Sequence, residues 1–587
     1  MNTKRIYSKR KELQQNFTPF KRTKVINGHE YIYEITLYRD PITKKIKQKS
    51  KYLGKQNNSN EVVKVREKLP TLKHVVSYGD SYLFNALVSE LGIDKILKQC
   101  FTEEETNWIL LLTGYKLLHN GSLERLSSFM ETSDLFSYYP VSTCMSSQQA
   151  SRILERLGED NSESIPHFYY KWIQHHPIKG DNLLFDLTSF SSKSKQIELL
   201  ENGYNKDHLP IPQVNLGLLV NENLKLPLYY KLYPGSIKDM TTIDNMMEDL
   251  RCLNIKDITL IMDRGFYSKA NLLSLIDHKH DFILPIPLTS KSLYEEIVNK
   301  SSSVLNQSPS DLIHIEERQY YAVKGSITLN SEDEEILNDD EETIQSTISL
   351  HSSEPVILNY VLSLDPVKRE EERFEFFKRL NEAEIILKQV NWNKYIQPNE
   401  TLTLLKTKKQ IKEFNDKLKQ VMKNKVGSCS KYFKLDIEPD GTPILNKRND
   451  IIENHTRLFG LMILLSSKPI VIESVLRRYR SRDLVESMFD SVKNELSGLP
   501  IRAHKTNTMK GQFFIIFIAM IIQFYLLDKM KKGDINRKYS ISDIFFELQK
   551  LKKTIWYGKD KIINEITKTQ QLLLEALQIF LPKVMRS

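Results

Sequence analysis

Hydrophobic and polar positions change their rhythm several times along this chain, and the changes divide it. Residues 30–54 alternate: EYIYEITLYR, a turn at Asp40-Pro41, then KKIKQKSKYLG, the pattern of a basic β-hairpin. From Tyr82 to about Trp172 apolar residues recur three and four apart, in LFNALVSELGIDKILKQC and WILLLTGYKLLHNGSLERLSSFM, which predicts a compact helical domain. At Asp181 the rhythm shortens. NLLFDLTSF reads as a buried strand with Asp186 in its middle, and PQVNLGLLV and LPLYYKLYPG flank the turn Asn221-Glu222-Asn223, predicting a hairpin over 212–235. DITLIM is another strand, ending at Asp263-Arg264-Gly265-Phe266-Tyr267. A helix from about Ser268 to His278 and the strand DFILPIP follow. Strand, hairpin, strand, helix, strand is an α/β layout, with two acids at strand positions where open sheets place their ligands.

Between Thr289 and Pro469 the pattern is mixed. The candidate strands LIHIEERQYYAV, PVILNYVLSL, KYFKLDI and FGLMILLS surround a charged helix from Lys368 to about Gln389, and the acidic stretch SEDEEILNDDEE reads as an exposed loop. The helical period returns at Arg477–Lys493, RRYRSRDLVESMFDSVK. At about 100° per residue, Tyr479, Arg482, Glu486 and Lys493 fall within roughly 60° of one another. Leu484, Val485, Met488 and Val492 form the opposite face, with Phe489 and Leu496 at its edge. One helix with an outward polar face is the expectation. A basic loop, GLPIRAHKTNTMKG, then leads to FFIIFIAMIIQFYLL (Phe513–Leu527), about 15 residues with Gln523 inside, short of the roughly 20 a bilayer requires. It reads as a buried core helix, so no membrane partner is expected.

Six segments follow from these shifts: a basic N-terminal arm with a β-hairpin (1–75), a helical domain that either recognises DNA ends or supports the core (76–178), an α/β core in two parts (179–290 and 470–530), a mixed, β-containing insertion between them (291–469), and a helical tail (531–587). Length agrees, since 587 residues exceed one domain, and 40% hydrophobic with 27% charged residues is a globular composition. Charge adds a location. Residues 1–70 hold 18 Lys or Arg against 6 Asp or Glu, so the whole net charge of +10 resides in the arm, the footprint expected for a polyanion such as nucleic acid. The four cysteines (Cys100, Cys144, Cys252, Cys429) lie far apart and form no CxxC pair, so neither a zinc knuckle nor a disulfide framework is indicated. With no apolar run at the N-terminus, a cytoplasmic protein is expected.

Asp186, Asp263 and Glu486 are the candidate metal ligands. A carboxylate inside an apolar strand costs several kcal/mol unless it is paired or binds a cation, so Asp186 is the hardest to explain as structure alone. A strand-end aspartate such as Asp263 also serves as a turn former or cap. Three carboxylates suit Mg²⁺, which prefers oxygen ligands and substrate phosphates. Asp490, four residues after Glu486 on nearly the same face, competes with it on helical spacing. Arg502, His504 and Lys505 are open to DNA or solvent, and Asp239 reads as a cap.

Tyr479, Arg482, Glu486 and Lys493 are separated by two, three and six residues. This Tyr-(2)-Arg-(3)-Glu-(6)-Lys signature, with FDLTSF around Asp186 and MDRGFYS around Asp263, resembles the bacterial insertion-sequence transposases with an RNase H-like DDE catalytic core. The resemblance covers about 181–290 and 460–525. It implies that Asp186, Asp263 and Glu486 are the catalytic, metal-binding triad of an RNase H-like core interrupted by the insertion domain, and it favours Glu486 over Asp490. It implies that Tyr479, Arg482 and Lys493 contact transposon-end DNA. It further implies two Mg²⁺ ions (with Mn²⁺ as a substitute), double-stranded DNA as end and target, a homodimer on that DNA, and a bacterial, nucleoid-associated setting. The expected activity is metal-dependent end cleavage and 3′-hydroxyl strand transfer. A transposase-derived DNA-binding protein that no longer cuts, and an RNase H-like nuclease, are the alternatives.

Overall fold

The computed structural model describes residues 18–27, 29–39, 45–56, 62–64, 72–143, 145–160, 163–178, 180–203, 211–287, 291–315, 317–329, 356–395, 408–438, 442–496, 501, 503–557 and 562–582. They form two compact units, one of residues 1–75 with 554–562 and the other of 76–553 with 563–587.

In the first unit, β1 (Phe20–Ile26), β2 (His29–Arg39), β3 (Ile46–Gln56) and β4 (Val62–Lys64) make an antiparallel sheet in chain order. β2 and β3 are the expected hairpin; its turn at Asp40-Pro41 lies outside the described residues. β1 was not legible, because FKRTKVI lacks a clear alternation of apolar and polar positions. β5 (Leu72–Ser77) follows in the chain.

The second unit is built on a nine-stranded mixed sheet. Its strands are β6 (Asn182–Ser191), β7 (Gln213–Asn221), β8 (Leu226–Pro234), β9 (Thr259–Ile261), β10 (Asp281–Pro285), β11 (Leu312–Ile315), β12 (Arg318–Leu329), β13 (Val356–Leu364) and β16 (Leu461–Ser466). They lie in the order β11-β12-β13-β16-β10-β9-β6-β7-β8. β6, β9 and β10 are mutually parallel at the centre, and the other pairs are antiparallel. Every residue of β7 is buried, as expected of a strand covered on both faces.

The helix Thr506–Lys532 is the spine of the helical layer. By length and composition it could cross a membrane, yet its apolar residues are packed inside the fold. Phe513 meets Phe190 of β6, Phe514 meets Phe101 and Phe168, and Phe517 meets Tyr169 and Tyr230, with ring centroids 5.1 to 5.7 Å apart. Each such buried aromatic removes enough surface from water to contribute about 1.5–3 kcal/mol. Gly511 lets this helix approach Ser147–Leu157 so closely that a Cβ there would collide with the Leu154 carbonyl oxygen, and Gly158 faces the Asn507 carbonyl in the same way. The helix begins at Thr506, so the last residues of the expected basic loop are helical.

Three further expectations change. LIHIEERQYYAV, expected as one strand, is the hairpin β11–β12. The stretch 291–469 is not a single body apart from the sheet: β11, β12, β13 and β16 extend the central sheet itself, and β16 lies beside β10. Only part of it gathers a core of its own. There the helices Pro366–Lys388 and Lys408–Val426 and the hairpin of β14 (Phe433–Ile437) and β15 (Pro443–Lys447) enclose Phe376, Leu380, Phe414, Leu418, Tyr432 and Phe459. The acidic stretch 331–342 lies outside the described residues.

The segment 477–493 is the third. It is not one helix but Ile472–Arg480, Asp483–Asp490 and a wide π turn, Ser491–Glu495. At the break the amides of Arg482, Leu484 and Val485 donate three residues back, to Tyr479, Ser481 and Arg482, which tightens the turn and swings the second helix. Val485, Met488, Phe489, Val492 and Leu496 are buried as the apolar face requires, while Leu484 is half-buried.

Candidate active site

Asp186 enters from β6 and Asp263 from the end of β9. These strands are parallel, with Leu184 opposite Ile261, so two residues further on Asp186 and Asp263 come level at the same edge. Asp186 is 3% exposed, and its Oδ1 accepts from the Leu187 amide at 2.8 Å. Asp263 does two things at once. It caps the short turn Arg264–Phe266, accepting from the Arg264 amide at 2.7 Å, and it turns the same Oδ1 to the helices above.

Those helices bring Arg482 down onto the acids. Its Nη2 lies 3.1 Å from Asp186 Oδ2 and 3.7 Å from Glu486 Oε1, and its Nη1 lies 3.3 Å from Asp263 Oδ1. Tyr479 completes the cluster: its hydroxyl accepts from Arg482 Nη1 at 3.1 Å and donates to Asp263 Oδ1 at 3.4 Å, with the guanidinium 5.4 Å from the ring centroid. The polar face expected to look outward is therefore turned inward at Arg482, which is 8% exposed. A buried carboxylate demands a counter-charge, and the break at Ser481–Arg482 lets the arginine supply it.

Electrostatics follow the geometry. Burial opposes the charge on Arg482, but Tyr479, Asp263 and Asp186 outweigh it and hold its pKa above the usual arginine range. Burial pushes the Tyr479 phenol up to about 12. Glu486 is raised above an ordinary glutamate, first by desolvation and then by Asp483, Asp186 and Asp263, with Arg482 acting against them.

Lys493 sits on the π turn with its ammonium 6.0 Å from the Phe190 ring, which is four residues after Asp186 on the same strand. The turn is fastened from the helical layer. Lys116 donates to the Leu496 carbonyl at 3.3 Å, Asn120 to the Glu495 carbonyl, and Ser491 to Gln523 Oε1 at 2.9 Å. Gln523, inside the apolar run Phe513–Leu527 of the long helix, thus holds the π turn. Nothing in sequence spacing marks Lys116 or Asn120 for this, because the contact bridges about 375 residues.

The other candidates are placed as follows. Asp490 is exposed and lines a separate surface pocket with Ser487, Asn494 and Gln523. Asp239 is not the cap of its turn, since Lys238 holds that position; its carboxylate lies against Gly265, where a Cβ would be 2.8 Å from Oδ2. It is a neighbour of the Asp263 turn, a placement that its reading as a cap did not foresee. Lys505 pairs with Glu155 at 2.7 Å, and the His504 carbonyl accepts from Ser194. Arg502 lies outside the described residues.

The donor set fits a hard divalent cation in kind: three carboxylates converge on one cationic group, and hard cations take oxygen ligands. Among the described residues no three His, Cys, Asp or Glu share a single ion site, and the guanidinium stands between the three acids.

A family model described as a transposase DDE domain matches residues 179–522, more than half of the chain and the part that carries all three acids. The chain belongs to this family. Among solved structures, the DDE-domain chain is similar to a piggyBac transposase, seen by cryo-EM in a synaptic complex with hairpin DNA, at 10% identity and a TM-score of 0.32 over 86% of this chain and 80% of that one. Curated proteins give no match.

Proposed function

We propose that this transposase-family chain cuts DNA at the ends of a mobile element and joins the freed 3′-hydroxyl to target DNA, with Asp186, Asp263 and Glu486 as the catalytic carboxylates of an RNase H-like core. The observation that carries the reading is the convergence of these three acids, from two strands and a helix far apart in sequence, on one guanidinium. Three acids share one arginine, so the cluster keeps an excess of negative charge, and it faces an open side, since the Glu486 side chain is 61% exposed. The acids would hold two Mg²⁺ ions, or Mn²⁺ in their place. Bound there, such ions lower the pKa of an attacking water and neutralise charge on a leaving oxygen.

The chain's own residues position the DNA. Arg482 has two uses for its guanidinium: the carboxylates, as seen here, or a phosphate of the scissile strand, to which it can present two parallel N–H groups. Tyr479, bonded to both Arg482 and Asp263, steers that choice. Lys493, on its fastened turn, supplies a further phosphate contact. Two element ends imply two active sites, and hence a homodimer on the DNA.

The test mixes the full chain with Mg²⁺ and duplex DNA carrying the inverted repeats that flank its gene. The unaltered chain and Asp490→Asn should nick at the repeat boundary, and Glu486→Gln should bind without nicking, a loss of 10²-fold or more. Equal nicking by Glu486→Gln overturns its role. Binding without nicking by the unaltered chain favours a DNA-binding derivative, and nicking of unrelated duplex favours a nuclease.

A further inference from the structure

The N-terminal sheet has two unlike faces. Across β1, β2 and β3, Ile35 stands opposite Phe20 and Ser50, and Tyr33 opposite Arg22 and Tyr52. This face carries the packing: Ile35 is buried, and Tyr52 contacts Tyr31 and Tyr33 with centroids 5.9 and 5.3 Å away. On the other face Lys47 is opposite Tyr38, Lys49 opposite Thr36, and Lys51 opposite Glu34, which in turn faces Lys21. All four lysines are exposed.

Charge decides what the lysine face meets. By register this face sets Lys21, Lys47, Lys49 and Lys51 against Glu30 and Glu34. β3 lies between β2 and β4, so its lysines do not guard an open strand edge, and the positive excess points to an anionic partner. Spacing selects its kind. Lysines at every second position of a strand lie about 6.8 Å apart, a straight cationic row suited to the closely spaced phosphates of duplex DNA, which carries one charge per about 1.7 Å of axis. Lys47, Lys49 and Lys51 form such a row, with Lys21 beside Lys51 across β2.

We propose that this face, Lys21, Lys47, Lys49 and Lys51, is a duplex-DNA backbone site that holds DNA independently of its sequence. It rests on the proposed function in taking DNA as the polyanion. The row reads phosphates and no base edges, so it adds affinity without specificity.

The experiment measures duplex affinity of the full chain against salt, for the unaltered protein, for Lys47→Gln, Lys49→Gln and Lys51→Gln combined, and for Lys419→Gln, Lys423→Gln and Lys425→Gln combined, three exposed lysines of the helix Lys408–Val426. Three lost phosphate contacts should make the log–log salt slope of the first variant shallower by about 2.7. Raising salt from about 50 to about 200 mM then weakens the unaltered chain about 40-fold more than that variant. The second triple variant should keep its slope, and lysine-to-arginine replacement of the first three should restore it. An unchanged slope, an equal change in both triple variants, or no rescue by arginine overturns the inference. An unaltered chain that binds duplex DNA but does not nick overturns the proposed function and leaves this site standing; one that nicks while the first variant keeps its slope overturns this site alone.

Discussion

Arg482→Gln tests how the active site is held together. The guanidinium is 3.1 Å from the nearly buried Asp186 and 3.3 Å from Asp263. Removing it leaves Asp186 without a counter-charge in a site that water barely reaches, and breaking a buried pair by deleting one partner costs about 3–5 kcal/mol. The second unit comprises residues 76–553 and 563–587, and at about 2.1 cal/mol/K per residue it unfolds with an entropy of roughly 1 kcal/mol/K. The melting temperature should therefore fall by about 3–5 °C. Adding Mg²⁺ or Mn²⁺ supplies the missing positive charge. At about a hundred times its dissociation constant a bound ion contributes about 2.7 kcal/mol, which returns about 2–3 °C to the variant. In the unaltered chain the arginine competes for the same oxygens, so the same addition should shift it less. Calorimetry with and without the metal, free of DNA, reads both effects. A variant as stable as the unaltered chain, or one whose response to metal is no larger, refutes the reasoning.

Glu486→Gln should act on stability with the opposite sign. A carboxyl whose folded pKa is raised contributes stability below the ordinary glutamate value of 4.5, and that contribution is lost as pH rises through the folded value. The variant should match the unaltered chain near pH 4 and melt slightly higher, by no more than about 1 °C, at neutral pH; a lower neutral melting temperature contradicts the raised pKa. Lys553→Met strips a two-pronged partner, 2.7 and 2.9 Å away, from the buried Asp134, and melting should drop by about 3–5 °C. Gly511→Ala forces the helices Ser147–Leu157 and Thr506–Lys532 apart and should cost about 1–3 kcal/mol, visible as faster proteolysis of the helical layer; resistance equal to the unaltered chain would mean that the crossing is looser than its geometry.

Much of the sheet was legible because its strands are short apolar runs bounded by turns, and β6, the β7–β8 hairpin and β10 fall where the pattern places them. Long-range pairing was not. Local pattern cannot tell that β16 lies beside β10, since their alignment, Ile283 opposite Ser466, joins residues 183 apart in the chain. The break at Ser481–Arg482 was invisible for a different reason: RSRD contains no Gly or Pro to mark it, and only the buried charge of Asp186 makes a tightened turn worth its cost. Spacing did group Tyr479, Arg482 and Glu486, but it could not show that the arginine faces the acids. Lys116 and Asn120 gave no local signal at all, because their work is done across the fold, and Gln523 stood out only as the polar residue of an apolar run.

The most direct measurement maps the ends produced when the unaltered chain acts on its flanking repeats in Mg²⁺. A nick at the repeat boundary that leaves a 3′-hydroxyl, lost on replacing Asp186, Asp263 or Glu486 while DNA binding persists, is the predicted result. A 3′-phosphate product, or a nick that survives all three replacements, would contradict it.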